Sequence, residues 1–570
     1  MSTPSSTADI FAQDIEKDAA ISANEETDSS LKHVSSVSET VQRGDIDSEK
    51  PADVPVVTRR WFNREWSSFQ RQTKEDVPDA KAKVSTFDTL IISLATGLGT
   101  GLLVGSGKGL SNAGPLGSII AMVVASIAVV LTIYGAGELS VTYSGMSGGF
   151  NAQTIMLVDP SFGFAVAWGY AINWFTVLPL EMVTASMTIK YWTKSTNSDI
   201  FVCVFLAVVY FVNFTFGPKG YSSFEKICGI VKLTMIAIFI TSGIFFICGV
   251  NPNHIHFGDK YYSDPGMFAN GFKGVCLCFV TFAFSLGGTE FIALTAPDQN
   301  EPKKAIPRAV KLVVVRVILF YLGSIIIMGF LVPHNSKDLM GANSEKNAAP
   351  VSPFVLACVY AGVPGLGHFI NAVICIAVIS VANSALYSSS NTFQALAEQG
   401  LNFKWFDFKD KKGRPLRAML VSAVIGLFSF IAAYEDQESI FVWLLSLSGL
   451  ATIFTWMSIN ISHIRFIRAC KAQQLDRSEL RYTSPIGEIG SWVALTLNIF
   501  FLAVHFWVSL WPLNNDGKPD AKNFFQNYLG FFTTLMLFIG HKIYLFIKGH
   551  KVNWFFHPSE SVDLHTHIVY

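Results

Sequence analysis

Charge is scarce in this sequence: Asp, Glu, Lys and Arg make up 15% of 570 residues, where soluble domains carry about 25%. A mean hydropathy of +0.40 agrees that most of the chain does not face water. The pattern of a metal site is missing too. Cys276 and Cys278 form a CxC, but no second cysteine or histidine pair completes a ligand set, so neither a metal nor an organic cofactor is expected. All eight cysteines, Cys203, Cys228, Cys248, Cys276, Cys278, Cys358, Cys375 and Cys470, read as buried thiols in apolar runs. No signal-peptide pattern is seen. The 42 basic and 42 acidic residues balance and single out no charged partner, and nucleic acid is not expected.

What the sequence has is hydrophobicity in long runs. Many of these runs hold about 18 to 25 residues, enough to cross a hydrocarbon core ~30 Å thick. Twelve spans are expected, at 88–110, 115–140, 162–190, 200–217, 226–249, 271–298, 309–333, 365–397, 417–433, 440–465, 487–511 and 524–548. The fold class is therefore an all-α polytopic membrane protein, bathed in membrane lipids. Basic residues follow spans 6, 8 and 10: Lys303, Lys304, Arg308 and Lys311, then Lys404, Lys409, Lys411, Lys412, Arg414 and Arg417, then Arg465, Arg468, Lys471, Arg477 and Arg481. By the positive-inside rule these loops and both termini are cytoplasmic.

Residues 1–85 are polar and Ser-rich, with too little apolar surface to fold, so they read as a disordered cytoplasmic tail. A twelve-helix domain at 86–550 and a short cytoplasmic tail at 551–570 follow. Lys17, Lys32 and Lys50, among Ser and Thr, suit ubiquitin ligase machinery or simply a solvated tail. The basic, aromatic residues 58–71 suit either the anionic inner leaflet or packing on the cytoplasmic loops.

Two runs are interrupted. Residues 96–110, TGLGTGLLVGSGKGL, place glycines at 97, 99, 101, 105, 107 and 109, each costing a helix roughly 1 kcal/mol relative to alanine. A phosphate loop is excluded, because Leu102 and Gly109 break the G-x-x-x-x-G-K-[ST] pattern. Close helix packing through Gly97, Gly101 and Gly105 is one remaining explanation. The other is a deliberate break, and it predicts a second break at the matching place in the other half. Span 6 supplies it: Gly287 and Gly288 interrupt the run, Thr289 and Glu290 follow, and Pro297 closes it. Spans 1 and 6 are five apart, which suits a 5+5 inverted repeat plus two helices. Bare N–H groups at a half-helix start suit a carboxylate, and bare carbonyls at a half-helix end suit an ammonium. A ligand carrying both about one residue apart is an amino acid.

Ionisable groups inside a membrane cost about 2.5–3.5 kcal/mol each on insertion scales and are functional candidates by default. Glu181 in span 3, Lys232 in span 5 and Glu290 after the span 6 break qualify. Glu181 reads as a proton acceptor or as a brace within its helix. Glu290 reads as a gate or pocket organiser, and Glu138, at the end of span 2, as an interfacial or gate contact. Thr184 and Ser186, near Glu181 along span 3, are candidates for the substrate pocket by that proximity. Phe284, Trp174, Tyr387 and Trp456 are candidates for a lid over a bound side chain, or for plain packing.

The stretches GLGTGLLVGSGK, SGGFNAQTIMLVDPSFGFAVAWGYAINWFTVLPLEMVTASMTIKYW, FEKICGIVKLTMI, FAFSLGGTE, NEPKKAIPRAV and SVANSALYSSS resemble the fungal amino acid permeases of the amino acid–polyamine–organocation superfamily. The likeness runs from about 85 to 565. It implies a LeuT-type fold of twelve helices with helices 1 and 6 interrupted, proton symport of amino acids, and residence at the plasma membrane. It implies that Gly99, Thr100 and Gly101 hold the substrate carboxylate, and that Ser285, Gly287, Gly288 and Thr289 receive the amino group and line the side-chain pocket. Lys232 resembles the span 5 lysine that stands in proton-coupled relatives where others bind sodium, bridging spans 1 and 8; snorkelling to the interface is the alternative. LVDPSFGFAVAW and TASMTIKYWT are most similar to the broad neutral-amino-acid branch. Three features depart from the family: Phe87 and Asp88 stand where Arg-His is usual, Asn391 where an arginine ends YxSSR, and the chain ends LHTHIVY rather than Phe-Trp-Cys. These departures keep two rivals open, a permease-like amino acid sensor and a carrier of another small zwitterionic or cationic metabolite.

Overall fold

The computed structural model describes residues 86–549 apart from 147, 194–197, 297, 298, 300, 340–350, 434–436, 514 and 516, and also 562 and 564. The N-terminal tail with its three lysines, the stretch 58–71, Pro297 and nearly all of the C-terminal tail lie outside the described residues. The chain divides into two units, Phe69–Ile539 with Phe555–Tyr570, and Met1–Ser68 with Gly540–Trp554. In the second, residues 540–549 are described, as the end of the last helix and the turn after it.

The described residues are helical almost throughout. α1 is Thr86–Ala95, α2 Thr100–Leu103, α3 Gly105–Thr142, α4 Phe150–Leu157, α5 Pro160–Ile189, α6 Ser198–Ile247, α7 Gly271–Leu286 and α8 Phe291–Leu294. α9 runs Pro302–Leu331, then come α10 Pro353–Tyr360, α11 Pro364–Glu398, α12 Leu416–Gly426, α13 Gln437–Ala472, α14 Gly487–Leu510 and α15 Ala521–Ile547. Among the described residues nine helices are long and apolar enough to cross a membrane, counting α7 with α8 as one, and Thr89–Leu103 and Leu416–Phe430 are shorter apolar stretches. Two of the nine are themselves broken, α3 at Gly114 (φ 75°) before Pro115 and α6 at Gly217 (φ 61°) before Pro218.

Local chemistry sets these boundaries. Asp159 caps α5, its Oδ1 accepting the Ser161 and Phe162 N–H groups at 2.9 Å with Pro160 in the first turn. Ser352 does the same for α10 at Phe354 N–H, 3.3 Å, ahead of Pro353. The break in α3 is tied down from outside, by Leu116 N–H to Met267 O at 3.1 Å and Ala269 N–H to Ala113 O at 3.2 Å.

Three expectations are corrected. The span expected at 309–333 starts earlier, because Pro302 has the fixed φ a first helical turn needs; Lys303, Lys304 and Arg308 thus lie on α9. α13 extends to Ala472 and carries Arg465, Arg468 and Lys471 in its last turns, where cations meet the negative end of the helix dipole. Cys203 and Cys248 are exposed while the other six cysteines are buried. Cys203 sits on α6 and Cys248 directly after its last residue; the apolar window of α6 is only 28% buried and its outer face suits lipid.

Packing is between α3 and α7, between α11 and both α5 and α6, and between α13 and both α5 and α14. Small residues make the approach close: Ala113, Ala121, Ala125 and Ala128 of α3 are wholly buried. In lipid, where apolar surface gains little by leaving the solvent, such van der Waals contact is what holds helices together.

Candidate functional site

The first run is unwound from Thr96 to Gly99, between α1 and α2, and the second from Gly287 to Glu290, between α7 and α8. The two breaks touch backbone to backbone. Gly97 has φ +88°, and a Cβ there would lie 2.6 Å from Gly287 O. A Cβ on Gly101 would lie 2.5 Å from Ser285 Cα. No L side chain fits at either point, which is why the glycines are there. On Gly99 a Cβ would meet the Val381 side chain at 2.5 Å.

A partly open cavity lies against the breaks. Its backbone walls are Gly97, Gly99, Thr100, Gly101, Gly287 and Gly288; α5 supplies Asn173, Trp174, Val177 and Glu181, and Phe284, Val381, Ser384 and Thr452 complete it. Gly99 caps α2 with no side-chain partner, so the first N–H groups of the half-helix lack intrahelical acceptors. The Thr100 hydroxyl donates to Glu181 Oε2. A second cavity, lined by Thr89, Ser93, Thr289 and Gln299 among others, shares Thr96 and Gly288 with the first. There Tyr221 and Tyr387 stack with centroids 4.1 Å apart.

The remaining candidates sit outside the first cavity's lining. Ser285 faces Gly101 and its hydroxyl is buried without a partner among the described residues. Thr289 Oγ1 donates to Leu286 O and accepts from Arg316. Glu290 folds back on its own break, accepting Gly288 N–H at 3.2 Å, and its other oxygen accepts Trp456 Nε1–H at 3.4 Å. Thr184 and Ser186 bond carbonyls of their own helix, Leu180 O at 2.8 Å and Val183 O at 2.7 Å.

Lys232 is wholly buried and bonds Ser380 Oγ of α11 at 2.9 Å. Its other partner is not span 1 but Glu225 of its own helix, 3.0 Å away. Glu225 also accepts from Ser380 at 2.5 Å and Ser384 at 3.3 Å. Glu138 is buried in a hub: Arg477 grips it at 2.6 and 2.8 Å, His463 Nε2 lies at 2.9 Å, and Ser484 N–H donates at 2.8 Å.

Sequence reasoning missed Glu225 and Arg316. Glu225 stands at the polar edge of an apolar run, where a carboxylate attracts no notice. Arg316 lies inside the run VVVRVILFYLG, and an intramembrane arginine is itself a signal. It is fully buried and starts a π-helical stretch, Arg316–Leu322, a widening often found at functional sites.

Comparison with known proteins agrees with this architecture. The family profile described as Amino acid permease matches residues 88–551. The Saccharomyces cerevisiae valine/tyrosine/tryptophan amino-acid permease 1 is 42% identical over 92% of this chain and 85% of its own length. The high-affinity glutamine permease of the same yeast is 43% identical over 87% of this chain and 74% of its own. For amino-acid permease GAP5 of Candida albicans the figures are 43%, 85% and 76%. Among solved structures, a substrate-bound, outward-open Na⁺-coupled sialic acid symporter superposes with a TM-score of 0.50 at 13% identity, over 78% of this chain and 95% of its own. At that identity the likeness speaks for the fold alone.

Proposed function

The chain belongs to the amino acid permease family, and on that premise we propose that it takes up neutral L-amino acids with protons, across the plasma membrane, by alternating access. It is a transporter of amino acids rather than an enzyme. The observation that carries the finer reading is the cavity whose walls are the bare backbone of both breaks with Glu181 beside them. Free N–H groups at the start of α2 would take the substrate carboxylate, Gly287 and Gly288 would receive its ammonium, and Trp174 and Phe284 would cover its side chain. Relatives named for valine, tyrosine, tryptophan and glutamine support uncharged side chains.

In this reading α1, α2 and the start of α3 make the first crossing, the rest of α3 beyond Gly114 makes the second, and α6 crosses twice about Gly217; with α5, α7 and α8 together, α9, α11, α12, α13, α14 and α15 this gives twelve crossings and cytoplasmic termini. The short helices α4 and α10 stand before spans 3 and 8, matching places in a 5+5 repeat. Glu181 takes the proton, and Lys232 with Glu225 fixes α6 to α11. One charge falling through about 100 mV contributes about 2.3 kcal/mol and one pH unit about 1.4 kcal/mol. Together these support accumulation of roughly several hundredfold.

The test is uptake of a labelled amino acid panel in cells lacking their own permeases, with and without an uncoupler. Neutral amino acids should accumulate, and the uncoupler should abolish the gradient. Gly101→Val, whose side chain would strike Ser285 backbone, should abolish uptake with the protein still at the surface; Gly99→Val, which strikes only the Val381 side chain, should lose less. A surface-resident chain that takes up no amino acid would be read as a sensor, or as a carrier of another metabolite.

A further inference from the structure

We propose that the Arg316 guanidinium is a resident cation: a tethered occupant of the carbonyl site that the first break creates at the end of α1. A half-helix that stops inside a membrane leaves carbonyls at the negative end of its dipole, and secondary transporters coordinate cations there. Here those carbonyls are already taken. Arg316 Nη1 donates to Ser93 O at 2.9 Å and to Thr96 O, and Nη2 donates to Thr289 Oγ1 at 2.5 Å. Tyr321, on the same widened stretch, donates its hydroxyl to Gly97 O at 2.7 Å, with its ring centroid 5.7 Å from the guanidinium carbon.

The guanidinium is wholly buried, and among the described residues no carboxylate stands within ion-pair distance of it. Glu290, the acidic group of the second break, is committed to Gly288 N–H and Trp456. Carbonyls and one hydroxyl are therefore the groups that touch the guanidinium, and the Glu290 charge acts on it only from beyond ion-pair distance. A planar fork suits this better than a point charge, because its two ends reach different half-helices at once. One arm holds the end of α1, at Ser93 O and Thr96 O, and the other holds Thr289 within the second break. Two consequences follow: a free metal ion has no place at this end of α1, and a substrate ammonium must bind elsewhere. Arg316 is thus a positioning residue whose charge fills a site, not merely a packing residue.

The experiment removes the tether and offers the cation back. Full-length Arg316→Ala, purified in detergent, is titrated with millimolar guanidinium chloride while its thermal midpoint is followed, beside the wild type and Glu181→Gln. A ligand that binds only the folded state raises the midpoint by mass action, here by about 3 °C or more for Arg316→Ala and not for the other two. In uptake assays the same variant should fall about tenfold in choline medium and recover severalfold with guanidinium, but not with tetramethylammonium, which cannot donate a hydrogen bond. Wild-type uptake of Arg316→Ala, or a folded Arg316→Ala indifferent to guanidinium and to sodium in both assays, overturns the proposal. Should Arg316→Ala not fold, Arg316→Gln decides: it keeps two donors and loses the charge, so unimpaired, cation-indifferent behaviour refutes a resident cation. The wild type supplies a third arm, since sodium-dependent uptake would show a free cation at work and overturn it too. The midpoint readout does not depend on which substrate is carried, so it stands apart from the proposed function.

Discussion

Glu138 and Glu181 begin alike, as single carboxylates in apolar runs, and end in opposite situations. Glu138 has no exposed surface and is saturated by Arg477, His463 and Ser484 N–H. Glu181 is 1% exposed, lines a cavity, and accepts from one threonine hydroxyl. A carboxylate whose oxygens are all taken by charged and N–H donors acts as a structural clasp between α3, α13 and the segment leading to α14. One with a single neutral donor and open space beside it has no such hold on it, and in the function proposed above it is the group that takes the proton. Burial alone therefore says little about role; the number and charge of the partners decide it.

The largest expected effect belongs to the clasp. Glu138→Gln strands a buried histidine and an arginine, and should cost about 3–5 kcal/mol of stability, read as a lower thermal midpoint and less protein at the surface. Glu181→Gln should leave both readouts near wild type and instead lose about a hundredfold of uncoupler-sensitive accumulation, with substrate exchange retained. If the two variants behave alike, the distinction between clasp and proton site collapses. Thr100→Val sharpens it: loss of a hydrogen bond to a carboxylate, worth about 1.5 kcal/mol, should slow coupled uptake roughly tenfold, and Thr100→Ser should restore it. Glu488 sets the lower bound. Its pairs with Arg468 and Lys471, both 2.8 Å, sit where the basic side chains are more than half exposed, so Glu488→Gln should change stability by less than about 1 kcal/mol.

The spans and the two breaks were legible because both are properties of composition along the chain: apolar length for one, clustered glycine for the other. Glu181 and Lys232 were legible for the same reason, as rare charges against an apolar background. What a run of letters does not carry is the rotation of one helix against the next. Thr184 lies one helical turn from Glu181, yet its hydroxyl bonds Leu180 O inside its own helix rather than lining the cavity. Asn173, Val177, Val381 and Thr452 do line it and carry no signal in sequence, being ordinary residues until a neighbouring helix brings the breaks beside them. Lys232 meets Glu225 seven residues away on one helix, two turns along the same face. That pairing was available from spacing, and went unread because Glu225 stands beside Lys226 at the edge of the run.

Thr96 and Gly288 border both cavities, with Gly97 and Gly287 pressed together beside them. The partition is main chain, with little side chain in it. In the transport cycle proposed above, it would act as the insulation between two compartments at different potentials, and a file of water slipping past it would be a short circuit. Insulation made from backbone contact does not vary with the side chains around it. In that reading the cavity can be retuned for a different diet, at Asn173, Val177, Val381 or Thr452, with the seal against leakage left as it is.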